Sequence, residues 1–162
     1  WFTAGSRRRY NRPMIPDKVR SALEAHGLEA LEFEPGSTPT VELAAARIGV
    51  EPARIAKSLL FKAKDERYVM LVCPGDKRVQ SGALKRLTGS KLSMTDAEET
   101  ERVTGYRPGG VCPFALTGVE ILLDSELGRY GTVYPAAGTD ATGVPASLAQ
   151  LEAATGGRIV DL

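Results

Sequence analysis

Ile55-Ala56-Lys57-Ser58-Leu59-Leu60-Phe61-Lys62-Ala63-Lys64, then Asp65-Glu66, then Arg67-Tyr68-Val69-Met70-Leu71-Val72-Cys73, is the run that decides the fold. A first extended segment, a short polar turn and a nearly continuous apolar segment read as a hairpin whose second strand is central. On a period of two, Ile55, Lys57, Leu59 and Phe61 share one face of the first strand, and Ala56, Ser58, Leu60 and Lys62 share the other. Lys57 therefore falls in register with the more apolar face. An amine there must snorkel to water, shift its pKa, or meet an anion or a polarised carbonyl. The plainer alternative is an edge-strand lysine reaching solvent.

Upstream of the hairpin, Asp17 can cap a helix with apolar positions at Val19 and Leu23 that stops at His26-Gly27. Leu28 to Glu34 alternates as a short strand, and Pro35-Gly36 turns it. Thr38 or Thr40 then caps a helix from Val41 to Arg47, with Gly49 past its end. Downstream, Pro74-Gly75-Asp76 ends the central strand. Val79 to Leu87 and Ala97 to Val103 read as helices, and Val119 to Leu123 and Tyr130 to Tyr134 as strands. Pro145 opens a last helix through Ala153, and Arg158 to Leu162 forms a terminal strand. Hairpins mixed with crossovers predict an α+β or mixed α/β domain around one curved sheet.

The 162 residues suffice for one domain with a proper core, and 43% hydrophobic with 25% charged residues is an ordinary globular balance. Residues 1–20 carry six basic side chains against Asp17 alone, so the body behind them is mildly acidic although the whole chain is +1. That argues against a broad nucleic-acid footprint, and against DNA binding in particular, while leaving room to grip one RNA end. Residues 1–13 read as a basic arm, a leader or a tag, with Met14 as a natural start of the folded domain 14–162. The longest apolar run is too short for a membrane span, no secretory signal is visible, and two distant cysteines fit a reducing, cytoplasmic setting. No heptad or long apolar face points to an oligomer, so a monomer is expected.

The segment Thr104-Gly105-Tyr106-Arg107-Pro108-Gly109-Gly110-Val111-Cys112-Pro113-Phe114 can be neither helix nor central strand, given its glycines and prolines. Either it is a structural turn, or its small residues leave N–H groups open to a ligand. Paired amides at Gly109-Gly110 could hold a carbonyl or an oxyanion. The inventory removes other chemistries. His26 is the sole histidine and the cysteines are far apart, so neither a zinc site nor a metal cofactor is expected. No G-x-S-x-G elbow, phosphate-binding P-loop or dinucleotide fingerprint is present. Cys112 reads as a packing thiol rather than a nucleophile. Backbone amides plus one lysine suit an already reactive bond, such as an activated ester.

The segments Ile55-Ala56-Lys57-Ser58-Leu59-Leu60-Phe61, Pro74-Gly75-Asp76-Lys77-Arg78-Val79, the Thr104–Phe114 loop and the closing Thr155-Gly156-Gly157-Arg158-Ile159-Val160-Asp161 together resemble the YbaK/EbsC/ProX family of aminoacyl-tRNA deacylases. The likeness runs from about Val19 to the C-terminus. It implies a barrel-like mixed sheet flanked by helices and hydrolysis of mischarged tRNA without a cofactor. The family domain also occurs inserted in prolyl-tRNA synthetases, and a free-standing copy implies editing in trans.

Carried over by position, Lys57 matches the family's essential lysine, and Gly109 and Gly110 match its substrate-loop glycines. The resemblance extends the substrate surface to Thr40, Tyr106, Val111, Cys112, Pro113 and Gly138. The implied partners are the acceptor end of a mischarged tRNA, charged with a small amino acid such as Ala or Cys on tRNA-Pro, and prolyl-tRNA synthetase. The alternative is a module of the same fold that binds aminoacyl-tRNA or a synthetase without hydrolysis. One departure is plain. Some members carry an Asp where this chain has Gly143, which leaves the amino-acid specificity open.

Overall fold

The computed structural model describes residues 14–162, so the basic arm expected at 1–13 lies outside the described residues. In chain order the elements are α1 (Asp17–Ala25), β1 (Leu31–Glu32), α2 (Val41–Ile48), a 3₁₀ turn (Pro52–Arg54), β2 (Ala56–Ala63), β3 (Tyr68–Pro74), α3 (Ser81–Thr88), β4 (Leu92–Met94) and α4 (Ala97–Thr104). They continue with β5 (Val119–Asp124), a 3₁₀ turn (Ser125–Arg129), β6 (Thr142–Gly143), α5 (Leu148–Thr155) and β7 (Arg158–Val160).

The hairpin forms as its pattern dictates. Leu59 stands opposite Leu71, and the turn closes with the Ala63 N–H donating to Arg67 O at 2.8 Å. Glu66 takes a left-handed φ of +72° there. β3 is the middle of a five-stranded sheet ordered β4-β2-β3-β5-β7. β2 runs antiparallel to β3 and β4, whereas β3, β5 and β7 are mutually parallel. Val69 to Cys73 are wholly buried, because helices or loops cover both faces of β3.

Alternation along the strands splits the interior in two. Leu60, Met70, Val72, Ile121 and Leu123 pack with α1, α5 and the buried part of the Tyr106–Phe114 loop. Phe61, Val69, Leu71, Cys73 and Leu122 pack on the opposite face beneath Leu84 of α3. Each fully buried Leu or Val contributes about 1.5–3 kcal/mol. Local signals set the helix ends: the Thr40 hydroxyl accepts from Leu43 N–H, Asp96 caps α4 through Glu99 N–H, and Ser147 with Gln150 forms a capping box on α5.

Several expectations need correction. The sheet is open, with β4 and β7 as its edges, so it does not close into a barrel. Tyr130 to Tyr134 is not a strand. With Gly131 inside it and Pro135 after it, the segment makes only single bridges, Tyr134 to Ile55 and Val133 to Ala146. The last helix starts after Ser147 instead of at Pro145, because the capping box satisfies its first amides. β4 was not foreseen. Ser93 and Met94 are exposed, so no alternation marks it, and pairing with β2 alone makes it extended.

β1 and β6 form a separate two-stranded ladder, Leu31 opposite Gly143. Its role is positional. Thr38 N–H donates to Asp140 O at 2.7 Å, and the Thr38 hydroxyl meets Thr142 N–H at 3.2 Å. The segment leading into α2 is thereby tied to the 136–142 loop.

Candidate functional site

β2 is paired with β3 along its length but with β4 only at Phe61–Ala63. The flank from Lys57 to Leu59 has no neighbouring strand, and a cavity of about 320 Å³ lies along it. α2 forms one wall through Val41, Ala44 and Ile48, at helical spacing. The Thr38–Thr40 segment, Pro108, Gly109 and Val111 form another, and Thr95, Thr100, Tyr134 and Thr142 complete the lining. The volume sits at the small end of ligand pockets, and the lining is mostly apolar with convergent polar groups.

Most of those polar groups are spent within the fold. The hydroxyls of Thr95 and Thr100 lie 2.7 Å apart, Thr40 caps α2, and Thr142 accepts from Ala137 N–H at 2.9 Å. Along β2, Ala56 N–H donates to Tyr134 O at 3.1 Å and Leu60 O accepts from Thr95 N–H at 3.1 Å. Antiparallel alternation turns the main-chain groups of Ser58, midway between, toward the same flank. The Ser58 hydroxyl is buried with no partner among the described residues.

Lys57 borders the cavity and is half-buried. It stands opposite Cys73, on the strand face of Leu59 and Phe61, as the two-residue period requires. Its amine rests on main chain, Nζ donating to the carbonyl of Lys77 at 2.6 Å, and no ion pair holds it among the described residues. Lys77 in turn places its own amine 2.7 Å from Asp124 and 3.3 Å from Glu126. Burial works to lower the Lys77 pKa, but contact with Asp124, joined by Glu126, outweighs it and leaves it raised.

The two loop glycines do different things. Gly109 has a left-handed φ of +90°, borders the cavity, and its N–H has no partner among the described residues. A Cβ there would stand 3.1 Å from Pro39 Cα. Gly110 is buried, does not border the cavity, and donates its N–H to Arg107 O at 3.0 Å. A Cβ on it would come within 2.7–2.8 Å of the Gly138–Thr139 main chain. One amide is unpaired among the described residues; the other closes a turn and lets two loops touch.

Of the remaining expected substrate residues, Thr40 and Val111 border the cavity. Tyr106, Cys112, Pro113 and Gly138 do not: Tyr106 and Cys112 pack in the core, Pro113 is buried and Gly138 half-buried. Tyr106 is 1% exposed, and its hydroxyl donates to Phe114 O at 2.5 Å. Burial pushes the Cys112 thiol up to about 12, although the Phe114 N–H and the Tyr106 hydroxyl pull it down. Such a sulfur stays protonated at neutral pH. Gly138 has a left-handed φ of +87°, and a Cβ added there would stand 3.0–3.3 Å from Pro16 and Tyr106. Gly143 is buried, and a Cβ added there would stand 2.8 Å from Ile48 Cδ1, so a side chain at this position requires the tip of Ile48 to move.

The wall from α2 was missed in the sequence. The signal was present, since Val41, Ala44 and Ile48 fall at i, i+3 and i+7, but that stripe reads equally as ordinary core. Among the described residues, no group of three His, Cys, Asp or Glu side chains could hold a metal ion, and no helix is long and apolar enough to cross a membrane.

Comparison with known proteins shows the family. The uncharacterized protein YwhH of Bacillus subtilis (strain 168) is 40% identical over 112 residues, covering 68% of this chain and 71% of its own. The proline–tRNA ligase of Bacillus licheniformis is 35% identical over 103 residues, covering 62% of this chain but only 18% of the ligase. A solved structure of a candidate trans-editing enzyme for prolyl tRNA synthetase superposes with a TM-score of 0.81 at 34% identity, over 90% of this chain and 94% of that one. Residues 18–154 match the aminoacyl-tRNA editing domain as a family, and the chain belongs to it.

Proposed function

We propose that this protein is a trans-editing hydrolase that cleaves the ester of a mischarged aminoacyl-tRNA carrying a small amino acid. The observation that carries the reading is that Lys57 and Gly109, whose N–H is unpaired among the described residues, border one cavity. An aminoacyl ester is already activated, so catalysis needs positioning and charge stabilisation more than a strong base. Water attacks the ester carbonyl and adds to it, giving a tetrahedral oxyanion. The intermediate collapses with cleavage of the bond to the ribose oxygen, which takes up the proton the water gives up and leaves as a hydroxyl, while the amino acid departs as its carboxylate. Gly109 N–H donates to the developing oxyanion, an interaction worth about 3–4 kcal/mol at a dry site. The Lys57 ammonium exchanges the Lys77 carbonyl for the terminal phosphate or the carbonyl region of the substrate. The apolar walls of α2 limit the size of the acyl side chain, because a tight pocket rejects a larger group by clash.

The test is a deacylation screen over a panel of mischarged tRNAs, with Lys57→Ala as control. The expected outcome is hydrolysis of a small-aminoacyl tRNA that the variant loses while its melting curve is kept. Wild-type turnover by Lys57→Ala would sink the proposal. One observation favours a second reading, a binding module without catalysis: among the described residues no carboxylate or imidazole borders the cavity to act as a base. Binding of charged tRNA with every ester left intact would select it.

A further inference from the structure

The parallel pairing of β3 with β5, and the antiparallel run of β2, bring three residues to one end of the sheet: Lys57 near the start of β2, Lys77 just past the end of β3, and Asp124 at the end of β5. Asp124 is 0% exposed. Its Oδ2 lies 2.7 Å from Lys77 Nζ, and its Oδ1 accepts from Glu126 N–H at 3.0 Å. Lys77 stands in a turn, its N–H donating to Pro74 O at 3.0 Å, and its carbonyl takes the Lys57 amine at 2.6 Å. Removing a buried carboxylate and ammonium from water costs several kcal/mol, and a buried ion pair is often replaceable by apolar side chains without loss of stability. Its presence behind the cavity lysine therefore invites a role other than holding the fold.

We propose that the Lys77–Asp124 ion pair is a positioning device for Lys57. Asp124, on an inner strand of the sheet, anchors the Lys77 side chain. The anchored turn presents its carbonyl at a fixed point, and that carbonyl holds the Lys57 amine at the cavity edge until substrate takes it. Without the anchor the turn is free to drift, and the amine loses its fixed starting place. This inference rests on the reading of Lys57 as the group that engages substrate. Neither Asp124 nor Lys77 borders the cavity, so both act through Lys57.

The experiment uses the full chain and two variants. Asp124→Asn removes the charge, and Lys77→Met removes the ammonium but keeps the carbonyl. Deacylation kcat and KM are measured together with mass-spectrometric labelling of Lys57 by an amine-reactive ester and with thermal melting. Both variants are expected to lower kcat by about 10- to 100-fold with little change in KM, since small misplacements at a reacting centre reach that size. Lys57 labelling is expected to rise in both. If Asp124→Asn does not fold, Lys77→Met carries the test. Unchanged kcat and labelling in a folded Lys77→Met would overturn the positioning role while leaving the editing reading intact, provided Lys57→Ala is inactive. Full turnover by Lys57→Ala would overturn both.

Discussion

The hydroxyl of Tyr106 donates to the main-chain carbonyl of Phe114 at 2.5 Å, closing the glycine-proline loop across its base. The ring is stacked from outside by Lys18, whose Nζ lies 4.6 Å from its centroid and donates to Thr104 O at 2.9 Å. The loop that carries Gly109 is thus held by a buried bond and not by a regular element. Tyr106→Phe would leave the Phe114 carbonyl without this donor in the core. A loss of about 1–3 kcal/mol is expected, read as a melting temperature lowered by several degrees. An unchanged melting curve would mean that the loop is held by packing alone.

Gly109 and Gly110 should separate when each is changed to alanine. At Gly110 the added methyl meets main chain at 2.7–2.8 Å, which cannot yield without parting two loops. A cost of about 1–3 kcal/mol or more is expected in denaturant unfolding. At Gly109 the φ of +90° is strained for alanine, yet the nearest contact of 3.1 Å lies at the cavity wall. There the larger effect is expected on deacylation rate. Equal stability losses with equal activity losses would contradict the distinction.

Thr40→Ala connects the helix cap to the cavity wall. The Thr40 hydroxyl accepts from Leu43 N–H at 3.2 Å, and the helix it starts presents Val41, Ala44 and Ile48 to the cavity. Losing the cap costs about 1 kcal/mol. A frayed first turn should also raise KM for the preferred substrate, whereas Thr40→Ser should restore both quantities. Failure of serine to restore them would rule out capping as the cause.

Two buried thiols make stability fall in alkali. Burial raises Cys73 to about 11 and Cys112 to about 12, against an ordinary value of 9.0. Above pH 9 the unfolded chain releases these protons while the folded chain keeps them. The stabilisation is whole below that pH and is lost as pH rises toward 11 and 12, at up to about 1.4 kcal/mol per pH unit for each thiol. Urea melts between pH 8 and 10.5 should show the decline, and Cys73→Ala with Cys112→Ala should flatten it. The same wild-type and variant slopes would show that other groups cause it. Neither thiol should react with iodoacetamide at pH 8 in the folded protein.

The editing family was legible before any coordinates, because its segments fall in a fixed order around the hairpin. Which expected residues border the cavity was not legible. Tyr106, Cys112 and Pro113 share a loop with Gly109 and Val111, and nothing in their spacing says that the first three turn into the core. A loop has no period, so side-chain direction there follows from what packs against it.

The sequence by itself determined what local physics governs: the alternation that sets Lys57 on the Leu59–Phe61 face, the polar turn at Asp65-Glu66, and a helix cap at Thr38 or Thr40, of which the structure uses Thr40. Tertiary structure alone decided that the Lys57 amine rests on the Lys77 carbonyl, with Lys77 tied to Asp124. It alone decided that the Gly109 amide is unpaired among the described residues while Gly110 spends its own, and that α2 walls the cavity. Those are contacts between segments tens of residues apart. They are fixed by burial and hydrogen-bond satisfaction over the whole chain, which no local window contains.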